Sequence, residues 1–280
     1  MKTGSANIKT NVDHYDKVYS SVNISEILEK VRNFESFLEN AIKTDTSWHG
    51  FYHGGFEKII VGKTVLEIGC GNGLNSLIMA SLGATVVAND ISTKSMEIIS
   101  SVAKELDIDN ISTVAGDFRD MPFDVNSFDF VVGKAFLHHL THELEDEFLA
   151  KAATILKPSG EARFFEPAVN SLLLDKIRWI IPLPGRPSIL MRKKFAKWKS
   201  NDPHPDRDNS TAHYLAAGLK HFGNVNVIHI GSIERLCRLI PLGKFNRSYR
   251  RWAHRIEEYL PKFFRSMAAR SQLLVFHVPR

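Results

Sequence analysis

Along the first part of the chain, apolar positions recur every three to four residues; beyond residue 64 they gather into short unbroken runs. Ile24, Ile27, Leu28, Val31, Phe34, Phe37, Leu38 and Ile42 define a helical stripe within 12–48, with Asn23 or Ser25 as its cap. Such a stripe needs a surface to cover, so residues 1–60 are expected to form a helical lid on the remainder of the chain. TVLEIG (64–69), ATVVAND (84–90), ISTVAGD (111–117), FDFVVG (128–133) and EARFFEP (161–167) read as buried strands. Helices at about 74–83, 93–106 (capped by Ser92) and 143–156 fall between them, and KPSG (157–160) reads as a turn. Strands alternating with helices, apolar on both faces, predict an α/β fold: a doubly wound, mostly parallel sheet. Prolines and basic residues break the rhythm at 168–210. A helix near 211–222, a strand at 224–230, a basic helical stretch and a last strand at 271–278 bring the sheet to seven strands. The main domain is thus expected over 61–280, with 168–210 and 232–262 as insertions capping one side.

The chemistry gathers at the strand ends. VLEIGCGNG (65–73) runs a buried strand through Gly69, Gly71 and Gly73 straight into a helix. Glycines there let the backbone turn sharply and let a ligand approach the main chain, at the edge where open α/β sheets bind ligands. Asp90 ends the second strand, 21 residues after Gly69, where a carboxylate can accept from both ribose hydroxyls of an adenosine; a helix-capping role is the alternative. Asp117 ends the third strand, placed to accept from an adenine amino group while Phe118 covers the ring; a plain turn residue is the alternative. A dinucleotide fingerprint would need its third glycine at 74, where Leu74 stands.

Together VLEIGCGNG, ANDIS, GDFRDMPF, SFDFVVGKAFLHHL and LKPSGEARFFEP resemble, in order, the motifs of class I S-adenosylmethionine-dependent methyltransferases. The similar branch is the small-molecule group that includes the ubiquinone/menaquinone-type enzymes, whose final helix and strand LPKFFRSMAARSQLLVFHVPR also resembles. The resemblance implies a Rossmann-like fold and S-adenosyl-L-methionine as cofactor. It implies that Glu67, Gly69, Gly71 and Gly73 shape the methionine pocket, with Cys70 a small inert member of the same turn. Asp90 would hold the ribose, Ile91 pack on the adenine, and Asp117 with Phe118 fix the adenine edge. Gly133 and Lys134 would border the sulfonium, although family members often carry a small polar residue where Lys134 stands, and Tyr15 and Tyr19 would close over the cofactor; tyrosines docked for stability on an amphipathic helix are the alternative. The activity implied is methyl transfer to a small-molecule or lipid-like acceptor at oxygen or carbon. An attacking atom must lie in line with the sulfur, and a base helps where a proton must leave. His138 and Glu166 are the catalytic candidates, with His204 of DPHPD at the same mouth and Trp48, His49 and Tyr52 along the acceptor entrance. No grouping has the chain spacing of a metal site, so none is expected.

Charge changes the picture of partners. Residues 1–170 hold 15 Lys and Arg against 24 Asp and Glu, whereas 171–280 hold 21 against 7. In 171–199 and 235–270 the cations mix with aromatic and aliphatic residues, which suits the surface of an anionic membrane or a phosphate-bearing substrate; a solvated basic face is the plain alternative. No RNA-binding module is recognisable, so nucleic acid ranks lower. An RNA-modifying methyltransferase and a non-catalytic cofactor-binding protein are the competing functions. With two cysteines, no signal-like leader and no membrane-length apolar run, a cytoplasmic protein, peripheral to a membrane if the basic faces dock, is the expectation.

Overall fold

The computed structural model describes residues 12, 15–182, 185–200, 202, 204–238 and 243–280. Helices α1 (Ile24–Arg32), α2 (Phe34–Thr44), α3 (Thr46–Phe51) and α4 (Phe56–Ile59) lead into β1 (Thr64–Ile68). Next come α5 (Leu74–Ser81), β2 (Thr85–Asp90), α6 (Thr93–Glu105), β3 (Ile111–Ala115), β4 (Phe128–Lys134), α7 (His142–Ile155) and β5 (Leu156–Pro167). The chain continues through α8 (Leu172–Ile180), α9 (Arg192–Ser200), α10 (Thr211–His221), β6 (Phe222–Ile230), α11 (Asn246–Glu257), α12 (Lys262–Ala268) and β7 (Ser271–Pro279). The strands form one sheet in the order β3-β2-β1-β4-β5-β7-β6, parallel except for β7, which runs antiparallel between β5 and β6. Reversal of strand order beside β1 opens a crevice at the carboxyl ends of β1 and β4, where ligands settle in such sheets.

The core has two layers. On one face Val65, Val86 and Val132 pack with Leu77 and Ile78 of α5, Ile99 of α6 and the lid residues Ile27, Val31 and Leu38. On the other, Leu66, Ile68 and Val131 pack with Leu144, Phe148 and Leu149 of α7 and Tyr214 of α10.

Several sequence expectations are corrected. The helical stripe over 12–48 is broken at Asn33 and Asp45, each the cap of the next helix; the Asp45 carboxylate accepts from the N–H groups of Ser47 and Trp48. Asn23 caps α1. Ser92 begins α6 without a side-chain cap; its Oγ donates to Asp16 instead. KPSG is not an isolated turn. It lies within β5, which starts at Leu156 and slips register between Phe128 and Phe130 of β4.

Candidate functional site

A cavity of about 320 Å³ opens where β1, β2, β3 and β4 end. Tyr15, Tyr19, Gly69, Gly71, Asp90, Ile91, Asp117, Phe118 and Lys134 all line it, so nine of the residues singled out in the sequence meet around one space.

The turn after β1 is built for close approach. Gly69 has φ 65° and its missing Cβ would fall 2.3 Å from the Phe136 ring; Gly73 has φ 75° and its Cβ would fall 2.0 Å from Ile99. Only glycine meets both demands. Gly73 therefore seats α5 against α6 rather than facing the cavity, and Gly133 packs on Phe164. Glu67 also stands behind the lining. Its buried carboxylate accepts from Asn75 Nδ2 at 2.7 Å and from the Ser76 hydroxyl, tying β1 to the start of α5, and its role is to shape the turn. Cys70 is buried beside Ser95 (Sγ to Oγ 3.4 Å), outside the lining, and burial holds its thiol protonated.

Asp90 is held from both sides: Oδ2 accepts from Gly71 N at 2.9 Å and Oδ1 from Ser92 N at 3.0 Å. Burial raises its pKa to about 6 against the pull of those backbone bonds. Asp117 is more solvated. Burial pushes its carboxyl up, but the Arg119 side chain (2.7 Å) and backbone N–H (3.0 Å) prevail and hold it below the usual range. The stacked rings of Tyr15 and Tyr19, centroids 5.5 Å apart, stand at the edge of the cavity; burial, with Asp90 nearby, pushes the Tyr15 phenol up to about 12. Lys134 turns its Nζ over the Trp48 ring, 3.9 Å from the centroid; burial lowers its pKa and Glu67 opposes this.

At the mouth, Ala135 adopts a left-handed φ of 61° and turns β4 into a 3-10 turn, Leu137–His139. The buried Glu166 carboxylate accepts from the N–H groups of Phe136 (2.9 Å), Leu137 (2.7 Å) and His138 (3.3 Å) and from His138 Nδ1 (2.7 Å). Both its oxygens are engaged, so Glu166 positions His138 and does not itself face an acceptor. His139, not His138, lines the cavity, its ring against the Tyr15 hydroxyl. Trp48, His49 and Tyr52, expected along the acceptor entrance, do not line the cavity. Trp48 and Tyr52 stack in the core, and His49 stacks on the buried His254.

Other wall residues escaped the sequence reading. Leu140, Leu144 and Phe148 form one stripe at four-residue spacing, a signal present in the chain but indistinguishable from ordinary core. Phe136 and Asn89 carried no signal of their own. The fold also brings His204 to His138 and His139, with one ring nitrogen from each lying within 4.8 Å of the others, a grouping that spacing along the chain does not show.

Comparison with known proteins bears on this geometry. Residues 65–160, which carry the glycine turn, Asp90, Asp117 and the His138 turn, match the family described as methyltransferase domain. The chain carries a class I S-adenosylmethionine-dependent methyltransferase domain. Over 103 residues this domain is 42% identical to the cypemycin N-terminal methyltransferase of a Streptomyces species, covering 36% of this chain and 40% of that enzyme. It is 24% identical over 244 residues to the demethylmenaquinone methyltransferase of Staphylococcus carnosus, covering 81% of this chain and 96% of that one. The chain spans less than half the length of the first curated relatives it matches. The fold also superposes on geranyl diphosphate C-methyltransferase of Streptomyces coelicolor A3(2), solved with Mg2+, geranyl diphosphate and S-adenosyl-L-homocysteine. There the TM-score is 0.51 at 14% identity, over 80% of this chain and 76% of that one.

Proposed function

We propose that the protein transfers a methyl group from S-adenosylmethionine to a small-molecule or lipid-like acceptor, at oxygen or carbon. What carries this reading is the convergence of the glycine turn, Asp90 and the Asp117–Phe118 pair on one cavity at adjoining strand tips. The residues fit the cofactor. A buried carboxylate is available for the ribose, an aromatic and aliphatic wall for the adenine, and exposed main chain at Gly69 and Gly71 for the amino-acid end. When bound, S-adenosylmethionine supplies an electrophilic methyl group on its sulfonium. The chain's own part is positioning. Tyr15 and Tyr19 cover the cavity against water. His138, oriented by Glu166, stands at the mouth to take a proton from the acceptor.

The lipid-like option rests on the surface. Leu172, Leu173, Leu190, Phe245, Tyr259 and Phe263 are exposed among the cations of the insertion and C-terminal helices, and α8 and α9 bury no side chain fully. Such a surface suits an anionic membrane from which an apolar acceptor is drawn. Flotation with phosphatidylserine vesicles tests it, and binding that ignores vesicle charge would argue against it. Calorimetry with S-adenosylhomocysteine tests the central reading; no binding by the intact chain would sink it.

A further inference from the structure

The three histidines at the mouth come from two separate segments. His138 and His139 sit on the turn after β4, and His204 comes from the insertion. Their ring centroids are 4.3, 5.1 and 4.2 Å apart for the pairs 138–139, 138–204 and 139–204. Imidazoles bound to one metal at about 2.0–2.1 Å hold their nitrogens about 3–3.5 Å apart, so nitrogens within 4.8 Å need only a small closure.

Two of the three have the surroundings of ligating histidines, while the His139 ring lies against the Tyr15 hydroxyl, which a cation would displace. Glu166 Oε2 lies 2.7 Å from His138 Nδ1, and Asp202 Oδ1 lies 2.5 Å from His204 Nδ1. An ionised carboxylate only accepts, so each Nδ1 carries the proton and each Nε2 becomes the lone-pair nitrogen. A carboxylate behind the imidazole is what orients metal-bound histidines and raises their basicity. The two segments are also clamped together. Arg207 Nη1 donates to the carbonyl oxygens of Leu137 and Leu140, both at 2.8 Å, while its Nη2 pairs with the buried Glu145.

We propose that His138, His139 and His204 bind one divalent d-block cation, of the zinc or cobalt kind, at the mouth of the cofactor cavity, with a coordination position left for the acceptor. The donors are all nitrogen, which excludes a preference for Mg2+ or Ca2+. Three protein ligands and an open position are the arrangement of catalytic rather than structural zinc. This rests on the methyl-transfer reading for its chemistry. With the cation bound, His138 is a ligand and no longer the proton acceptor: an acceptor hydroxyl on the cation loses its proton to solvent more readily, its oxygen lone pair then forms the C–O bond, the C–S bond breaks, and sulfur keeps that electron pair.

The test uses the untagged, chelator-stripped full chain, titrated with Co2+ in the absence of cofactor. The expected result is one Co2+ per chain with the ligand-field bands of nitrogen-bound Co2+. His204→Gln and Asp202→Asn should each weaken uptake by about tenfold or more. Circular dichroism verifies their folding, and Asp202→Asn serves if His204→Gln misfolds. No uptake by the wild type, or uptake unchanged in both variants, would overturn the site. Failure to bind S-adenosylhomocysteine would remove the methyl-transfer reading alone, because tight, variant-sensitive Co2+ uptake would still support the site.

Discussion

Glu166 Oε2 sits 2.7 Å from Nδ1 of His138, and the same carboxylate caps the N–H groups of the turn that carries that histidine. One buried charge thus sets both the backbone path after β4 and the direction of the ring. Charge-assisted hydrogen bonds in a buried setting are the stronger kind, which makes the turn rigid enough to place a proton acceptor.

Replacing that charge separates the two roles. Glu166→Gln puts an amide N–H among donors and loses the charged bonds, costing about 1.5–3 kcal/mol of stability. Single-turnover rates should fall by about tenfold or more while S-adenosylhomocysteine affinity changes little. An unchanged rate would show that His138 orientation is immaterial.

Asp90 predicts opposite pH trends for binding and folding. Its pKa of about 6 lies above the 3.8 of an ordinary Asp, so the folded state takes up its proton first as pH falls. The ionised group therefore costs stability above pH 6, and that cost is relieved between about 6 and 4. Cofactor affinity should move the other way, weakening below pH 6 as the carboxylate loses acceptor capacity. Asp90→Ala should weaken binding by about 1–3 kcal/mol and flatten the profile. Calorimetry from pH 5 to 8 decides it.

The buried Arg207–Glu145 pair predicts a large local effect. Arg207→Ala removes the guanidinium from Glu145, which keeps only His213 at Oε1, and the donor from two carbonyl oxygens, and should cost about 3–5 kcal/mol. The exposed Lys220–Asp146 pair should cost no more than about 1 kcal/mol on Lys220→Ala. Urea unfolding of both variants gives the contrast.

Gly73→Ala tests the packing of the turn. The new methyl group would meet Ile99 at 2.0 Å on a backbone with φ 75°, a combined penalty of about 2–5 kcal/mol. Ile99→Ala in the same chain should recover part of it if the clash dominates.

His254 predicts an acid limb. Burial lowers its pKa to about 4, below the 6.5 of an ordinary histidine, and neither ring nitrogen has a hydrogen-bond partner. The unfolded chain binds the proton first, so stability present above pH 6.5 is lost as pH falls from about 6.5 toward 4. His254→Phe should reduce that loss in thermal melts.

What the chain decides by itself is the layered sheet and the ends of its strands. Apolar runs separated by periodic stripes dictate which backbone is buried, and glycines or acids at the strand tips are local features that need no distant partner to be recognised. Hence Gly69, Gly71, Asp90, Asp117 and Phe118 could be placed around one cavity before its walls were known. Tertiary structure alone decided the acceptor side. Whether Glu166 faces solvent or a neighbouring turn, whether Trp48 lines an entrance or fills the core, and whether His204 reaches His138 all depend on residues tens of positions apart. Such contacts are set by side-chain packing and by which buried polar groups find partners, and neither leaves a period in the sequence.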